Sequence, residues 1–182
     1  MQNEVIVAPS QQLATISNEK FLQDYSPNNC LIRSVTLKGV SDAVNRKTVT
    51  LVDIKKGKGQ TFLRNYIALW LIELNELLNL KNPLSEAQIT LCTEQIITDY
   101  SFLKLSELSL IFKRIISGEF GELYERISMP KLMTIFRKYE QERTEVVISE
   151  SSQDHENFRY QESRTESYNE EIARLLKRDK KH

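Results

Sequence analysis

Apolar residues recur at helical spacing through most of the chain after residue 60. From residue 60 to residue 80 they cover a wide arc of the helical circumference, a pattern that is typical of a buried helix. The pattern predicts a central helix that ends at Asn82 and Pro83 and that carries Trp70 into the core.

A capping signal defines the next helix. Ser85 is followed three residues later by Gln88, which is the arrangement of a capping box. The helix is therefore predicted to begin at Glu86 and to run to about Tyr100. Its predicted inward-facing residues are Ile89, Cys92, Ile96, Ile97 and Tyr100.

Two further helices complete the predicted core. One is expected from about Ser106 to Gly118, because glycine is the residue best suited to the left-handed position after a helix. The other is opened by Ser128 and Pro130, since proline in the first turn lacks only an amide that has no intrahelical partner. Their predicted buried residues are Leu108, Ile111, Phe112, Ile115, Leu132, Ile135, Phe136 and Tyr139.

The first part of the chain shows weaker patterns. Residues 1–30 are polar and mixed, which indicates a mobile arm with a short helix near Asn18 to Tyr25. Residues 31–59 form a basic segment in which apolar and polar residues alternate in two runs rich in β-branched side chains. The alternation predicts a short β-hairpin near residues 31–54, although two strands alone are marginally stable.

After Arg143 the apolar period fades into a polar, acidic stretch, which fits either a linker or a solvated helix. Within residues 144–182 a last short stripe recovers helical spacing and is typical of a docking helix. Its candidate partner-docking residues are Tyr168, Ile172, Leu175 and Leu176. The predicted architecture is mainly all-α, with about four core helices over residues 60–143 and a long polar C-terminal helix or tail.

Charge is balanced overall but not along the chain. The 182 residues include 25 basic and 25 acidic side chains, so no net charge favours nucleic acid or an anionic membrane as the partner. Residues 31–64 carry an excess of six positive charges, whereas residues 140–171 carry an excess of seven negative charges. The chain is thus a polyampholyte in blocks, and local surfaces are its candidates for binding.

The sequence predicts neither a membrane span nor an export signal. The most apolar window, residues 66–80, is short and carries Glu73 and Glu76, so it is not expected to cross a bilayer. The first residues lack the basic-then-apolar layout of a secretory signal, and Cys30 and Cys92 stand alone in the sequence. A soluble protein of the reducing cytoplasm is expected.

Two loops resemble phosphate-binding motifs but lack essential residues. The glycines near Lys55, Lys56 and Lys58 do not have the spacing of a nucleotide-binding loop, so these lysines are interpreted as a flexible basic turn. Gly118 and Gly121 match a G-x-x-G loop, but the neighbouring glutamates would repel phosphate. The glycines are therefore interpreted as a sharp reversal of the chain.

Metal and nucleophile chemistry is not predicted. Both histidines lie in the C-terminal tail, and no cysteine or histidine pair has ligand spacing. Cys92 is expected to be a buried and inert thiol, and the carboxylates are expected on solvent-facing surfaces. No catalytic, cofactor-binding or metal-binding residue is therefore predicted, and the chain is not expected to be an enzyme.

Basic side chains close to aromatic residues are the candidates for nucleic-acid contact. The aromatic residues at this spacing are expected to face inward, which weakens the case for single-stranded binding. The candidate contacts are Lys55, Lys56, Lys58, Arg64, Arg126, Lys131, Arg137 and Lys138.

A set of residues toward the end of the predicted core resembles small helical proteins of bacterial phages and mobile elements. The pattern combines a tyrosine, a leucine-rich segment with a glutamate, an apolar and basic helix, G-x-[FY]-G-x-x-Y and a closing Tyr-x-x-x-Arg. Its positions are Tyr100, Leu103, Leu105, Glu107, Phe112, Gly118, Phe120, Gly121, Tyr124, Tyr139 and Arg143. Some of these proteins are similar to phage replication proteins that load the replicative helicase.

The resemblance implies a non-enzymatic helical adaptor in phage or mobile-element DNA replication. The implied partners are a protein such as the replicative helicase and, non-specifically, single-stranded DNA. The alternative is a structural or regulatory protein-interaction module with no nucleic-acid role. Neither function requires a cofactor.

Overall fold

The structure, a computed structural model, describes residues 9–121 and 127–152, and the chain divides into two compact units, Met1–Arg143 and Thr144–His182. The helices of the first unit are α1 (Pro9–Thr15), α2 (Asn18–Tyr25), α3 (Pro27–Ser34), α4 (Val40–Asn45), α5 (Leu51–Lys58), α6 (Gln60–Leu77), α7 (Glu86–Asp99) and α8 (Leu105–Ile116). Residues 129–143 are also helical and are called α9. The described ranges contain no strand, so the predicted all-α class is confirmed.

Short helices build the first part of the bundle because each has a local start signal. Ser17 accepts a hydrogen bond from the Lys20 amide at 3.1 Å and caps α2, and Ser26 caps α3 in the same way. Thr50 and Asp53 form a capping box at the start of α5. The short helix predicted at Asn18–Tyr25 is confirmed.

The mobile arm predicted for residues 1–30 is wrong from Pro9 onward. Helices α1 to α3 occupy this range, and Leu13, Phe21 and Cys30 are buried in the core. More helices than the four expected therefore contribute core residues. Each of these short helices buries one to three side chains rather than a long stripe, so this part of the sequence shows no extended apolar period.

The predicted hairpin near residues 31–54 is also wrong, because this range forms parts of α3 and α5 and all of α4. The β-branched residues before α5 do not pair with one another. Instead, the Leu51 amide donates to the Leu103 carbonyl at 3.0 Å, and the Leu105 amide donates to the Val49 carbonyl at 2.9 Å. Among the described residues, the extended pairing at this point is limited to one isolated antiparallel bridge between Thr50 and Lys104.

The basic turn predicted around Lys55, Lys56 and Lys58 is the last part of α5 rather than a flexible loop. Basic side chains are favourable there, because the carbonyl end of a helix carries partial negative charge. Gly57 allows α1 to approach, since a Cβ at this position would lie 2.6 Å from the Ser10 carbonyl oxygen. The lysines are therefore held on a packed helix.

The predictions for α6 and α7 are confirmed in their main features. Trp70 is fully buried on α6, and α7 begins at Glu86 with the Ser85 and Gln88 capping box in place. The two helices pack together, and the Asn75 side chain on α6 bonds both the amide and the carbonyl of Leu84. The buried arc of α6 is narrower than its apolar pattern indicated, because its outer residues Ile72 and Leu77 are exposed.

Helix α8 is the most deeply buried element, with nine of its twelve residues in the interior. It packs against α3, α4 and α6. The Phe112 ring lies 4.8 Å from Trp70 and 6.4 Å from the Phe136 ring of α9, measured between centroids. Helix α6 packs against α3, α5, α7 and α8, so the central position predicted for it is confirmed.

The predicted stripe of α9 is confirmed, because Leu132, Ile135, Phe136 and Tyr139 are all buried. In the second unit, residues 144–152 are helical, and Val147 and Ile148 are exposed. These nine residues match the solvated helix rather than the linker. The predicted docking stripe from Tyr168 to Leu176 lies outside the described residues.

Candidate interaction site

The charged groups of α8 that face α9 are paired with opposite charges from α9. The Glu107 side chain is fully buried, and its carboxylate accepts hydrogen bonds from the Lys104 amide at 3.0 Å, the Arg143 Nε at 2.7 Å and the Tyr139 hydroxyl at 3.3 Å. The expectation that the carboxylates lie on solvent-facing surfaces is wrong for Glu107. Burial, together with the adjacent negative charge of Glu107, raises the pKa of Tyr139, so the hydroxyl stays protonated.

Two turns further along α8, a second ion pair joins the same two helices. The Arg114 guanidinium bonds the carboxylates of Glu119, at 2.8 Å from Nε, and Glu142, at 2.6 Å from Nη1. It also lies over the Phe120 ring at 5.3 Å. These bonds raise the pKa of Arg114 further above its ordinary value. Glu107 and Arg114, seven residues apart, are called the ion-pair stripe of α8.

A different face of α8 contacts the short helices. Ser106, Ser109 and Lys113 follow at intervals of three and four residues and are called the serine stripe. The Lys113 ammonium donates to the carbonyls of Ser34 at 3.2 Å and Leu37 at 3.0 Å, at the end of α3. This cation satisfies carbonyls that a helix end leaves without partners.

Ser106 and Lys104 connect α8 to the end of α4 in a similar way. The Ser106 hydroxyl donates to the Ala43 carbonyl at 2.7 Å, and the Lys104 ammonium donates to the carbonyls of Val44 and Arg46. The Thr48 hydroxyl lies 2.8 Å from that of Ser106. The hydrogen bonds of Lys113, Ser106 and Lys104 therefore hold α3 and α4 against α8.

Above the serine stripe is a small open cleft, called the arginine cleft. It has a volume of about 80 Å³. Its lining residues come from α2, α3, α8 and the connections before and after α4. They are Tyr25, Cys30, Arg33, Ser34, Leu37, Arg46, Thr48, Leu105, Ser106 and Ser109. The walls are mostly apolar, and the charged lining groups are the two arginines.

Both arginines of the cleft are exposed and lack an acidic partner among the described residues. The Arg33 guanidinium lies 5.8 Å from the centroid of the Tyr25 ring, and the Arg46 guanidinium donates to the Thr36 hydroxyl at 3.3 Å. These contacts orient the side chains without neutralising them. The arginine cleft therefore presents uncompensated positive charge to solvent.

Exposed apolar side chains accompany this charge. On α3 and its C-cap, Ile32 is 62% exposed and Val35 is 72% exposed, more than any other large apolar side chain of the described residues. They flank Arg33 in the sequence and lie on the outer side of the same helix. Scattered exposed apolar residues are common, but their coincidence with a charged cleft is typical of a binding surface.

The residues predicted to contact nucleic acid lie on three helices, and several are engaged. On α5, Lys55 and Lys56 are exposed, whereas the Lys58 ammonium donates to the Ile16 carbonyl. Arg64 on α6 pairs with Glu94 of α7 at 2.6 Å. These contacts leave fewer free cations than the sequence indicated.

The predicted basic residues of α9 are all exposed: Lys131, Arg137 and Lys138. The Lys138 ammonium lies 5.4 Å from the centroid of the Phe120 ring. Arg126, the remaining candidate, lies outside the described residues. The residues that sequence reasoning missed are Arg33 and Arg46 as a pair, because thirteen positions separate them and no local motif joins them.

The two thiols are buried, and burial raises both pKa values, that of Cys92 to about 11. The described part of the chain contains no group of three or more potential metal ligands. In the same residues, no helix combines the length and the hydropathy of a membrane span.

Comparisons with protein-family models, with curated proteins and with solved structures find no match for this chain. The interpretation of the arginine cleft therefore depends on its own chemistry. Guanidinium groups beside apolar walls can bind carboxylates or phosphates together with an apolar group.

Proposed function

We propose that this chain is a non-enzymatic helical adaptor that binds a protein partner through an exposed surface. The observation that carries the proposal is the arginine cleft, which is lined by two guanidinium groups without acidic partners among the described residues, from α3 and the connection after α4. The exposed Ile32 and Val35 are close to Arg33 in the sequence. Aromatic side chains, methionine and arginine are enriched at protein interfaces, and an arginine beside an apolar pocket is a frequent centre of binding energy.

The interior supports the same proposal, because its ionisable groups are engaged with each other. Glu107 is shared by Arg143, Tyr139 and the Lys104 amide, while Arg114 is held between Glu119 and Glu142. Breaking such a pair leaves a buried charge without compensation, so these groups are tied to the fold and are not free to react with a substrate. Binding at the surface is thus the role that these side chains favour.

The setting that we propose is DNA replication of a phage or mobile element, with the replicative helicase as the protein partner. The support is the resemblance of roughly residues 64–143 to helical proteins of such elements. Two of the resembling positions, Tyr139 and Arg143, contact a third, Glu107, so the pattern coincides with the cluster that joins α8 to α9.

The test is capture of a replication protein by the whole chain. The full chain would be immobilised and exposed to bacterial lysate, with the urea-denatured chain as the matched control, and bound proteins would be quantified by mass spectrometry. We expect the replicative helicase or another replisome subunit to be enriched on the folded chain. Equal recovery of replisome proteins on both supports would contradict the proposal.

A second candidate function is a structural or regulatory interaction module with no nucleic-acid role. The observation that favours it is the engagement of predicted nucleic-acid contacts within the protein, namely Arg64 with Glu94 and Lys58 with Ile16. Cations that already have partners release fewer counterions when they meet phosphate, which weakens non-specific binding.

Salt dependence distinguishes the two functions. Binding of fluorescent oligothymidine would be measured by anisotropy at several salt concentrations. A replication adaptor that contacts DNA should bind at low salt and lose affinity steeply as salt rises, because counterions are released on binding. Absence of binding at low salt would favour the module without a nucleic-acid role.

A further inference from the structure

We propose that the arginine cleft binds an acidic segment of a partner protein, which inserts one apolar side chain between Arg33 and Arg46. The inference rests on the proposed adaptor function and identifies the chemistry of the partner. It is supported by the size of the cleft, its charge and the nature of the residues around it.

The size of the cleft selects one side chain as the occupant. Its volume of about 80 Å³ is roughly half of the ~150 Å³ cavity that encloses a benzene molecule, and it is well below the ~300 Å³ of small-molecule pockets. Because the cleft is open, the end of a leucine or phenylalanine side chain can enter it while the rest of the side chain and the backbone stay outside. A nucleotide or a cofactor would not be enclosed.

The hydroxyl groups of the cleft point to an apolar occupant. Ser34 donates to the Leu31 carbonyl at 2.6 Å, Ser109 donates to the Leu105 carbonyl at 2.5 Å, and Ser106 donates to that of Ala43 at 2.7 Å. These donors are satisfied by backbone groups, so an inserted side chain needs no polar atoms. Apolar burial is then the gain from insertion.

The charge around the cleft selects an acidic segment. Besides Arg33 and Arg46, the exposed Lys38 and Lys47 lie in the connections before and after α4. The nearby carboxylate of Asp42 accepts a hydrogen bond from the Lys38 amide at 2.9 Å. It therefore bonds a backbone group rather than either arginine. Carboxylates on both sides of the inserted residue would complement the two guanidinium groups and favour the correct register.

The surroundings favour a protein over nucleic acid. Single-stranded nucleic acid needs aromatic faces on which bases stack, and Tyr25 is the aromatic residue of the cleft. Its ring already contacts Phe21, at 5.1 Å between centroids, and Arg33. Ile32 and Val35 instead offer aliphatic surface, which suits the apolar side of a peptide.

The experiment is a titration of the isotope-labelled full chain with 3-phenylpropionate, a ring joined to a carboxylate, followed by amide chemical shifts. Propionate, which lacks the ring, and 3-phenylpropylamine, which reverses the charge, are the matched probes. We expect saturable shifts at Leu37, Thr48 and Ser106 with 3-phenylpropionate and weaker binding of both other probes. Absence of saturable shifts at these amides would overturn the inference.

Variants attribute the binding to the arginines. Arg33→Gln with Arg46→Gln should raise the dissociation constant of 3-phenylpropionate at least about tenfold, because the charge-assisted pairs are lost. Lys20→Gln with Lys81→Gln removes the same net charge elsewhere and should leave the dissociation constant unchanged. Equal weakening by both double variants would overturn the inference, since it would show a response to net charge alone.

Two outcomes separate this inference from the proposed function. If the wild-type chain and the arginine double variant capture the same replication protein equally, the cleft is not the docking site, although the adaptor function stands. If 3-phenylpropionate binds at the cleft but no partner is captured, the adaptor proposal fails. Stronger shifts of the same amides with oligothymidine would overturn the acidic-segment inference in favour of nucleic acid.

Discussion

The ion-pair stripe and the serine stripe of α8 use charge in opposite ways. On the ion-pair stripe, each charged side chain of α8 meets an opposite charge from the bundle, as Glu107 meets Arg143 and Arg114 meets Glu142. On the serine stripe, Lys113 holds backbone carbonyls, and the arginines above it face solvent without an acidic partner among the described residues. One face of α8 therefore carries charges that pair within the fold, while its other face lies beneath arginines that remain available to a ligand.

The largest effect should come from breaking the ion-pair stripe. Arg143→Ala leaves the Glu107 carboxylate buried without its cation, and such losses typically destabilise a protein by about 3–5 kcal/mol. We expect a decrease of about 3 kcal/mol in the free energy of unfolding measured with urea at neutral pH, because Arg143 is partly exposed. Arg137→Ala, an exposed position on the same helix, should change stability by less than about 0.5 kcal/mol. Similar losses for both variants would contradict the account.

Loss of the cation on the serine stripe should have a smaller effect. Lys113→Met keeps the aliphatic stem but removes the hydrogen bonds to the carbonyls of Ser34 and Leu37. Since hydrogen bonds to charged groups contribute about 1.5–3 kcal/mol, we expect a decrease of about 2 kcal/mol in the same urea assay. Lys131→Met, at an exposed position of α9, is the control and should leave the free energy of unfolding nearly unchanged. A neutral Lys113→Met would show that these bonds do not hold α3.

Acid should weaken the ion-pair stripe through Glu119. Hydrogen bonds from Arg114 lower the pKa of Glu119 below its ordinary value of 4.5, so the unfolded chain takes up this proton before the folded chain does. The contribution of the pair is present above the unfolded pKa and is lost as pH falls through the folded pKa. Melting temperatures between pH 6 and pH 3 should therefore fall less for Glu119→Gln than for wild type. An equal slope for Glu119→Gln and wild type would contradict the assignment.

The smallest effect on stability should come from the arginine cleft itself. Arg33→Gln with Arg46→Gln removes exposed groups without acidic partners, so the free energy of unfolding should stay within about 0.5 kcal/mol of wild type. Urea unfolding followed by circular dichroism measures this directly. A loss above about 1.5 kcal/mol would mean that the arginines hold the fold, which would remove the contrast between the two stripes.

Sequence reasoning was most successful where a helix carries its own start signal and a long stripe. Ser85 with Gln88 fixed the start of α7, and the apolar spacing of α9 identified its buried residues. It failed for the end of α3 and for α5, where β-branched residues favoured strands. At α5 the Thr50 and Asp53 capping box and contacts with Leu103 decided the structure. Tertiary context overrides β-propensity in such short segments.

The candidate site was predicted less well than the fold. The basic segment from Arg33 to Arg64 was recognised as a surface, but the pairing of Arg33 with Arg46 depends on how α3 and α4 dock on α8. Glu107 was expected on the surface because a glutamate in the first turn of a helix can bond the helix start while it stays exposed to solvent. Glu107 is buried because Tyr139 and Arg143, thirty-two and thirty-six positions later in the sequence, pack against it.

The most direct test of the account is a double-mutant cycle between Glu107 and Arg143. Glu107→Leu, Arg143→Met and the double variant would be compared with wild type by urea unfolding. If the two charged groups interact mainly with each other, the double variant should lose much less free energy of unfolding than the sum of the losses in the two single variants. The coupling energy should be at least about 2 kcal/mol. Additive losses, with a coupling near zero, would contradict the claim that the ionisable groups in the bundle interior exist to pair with one another.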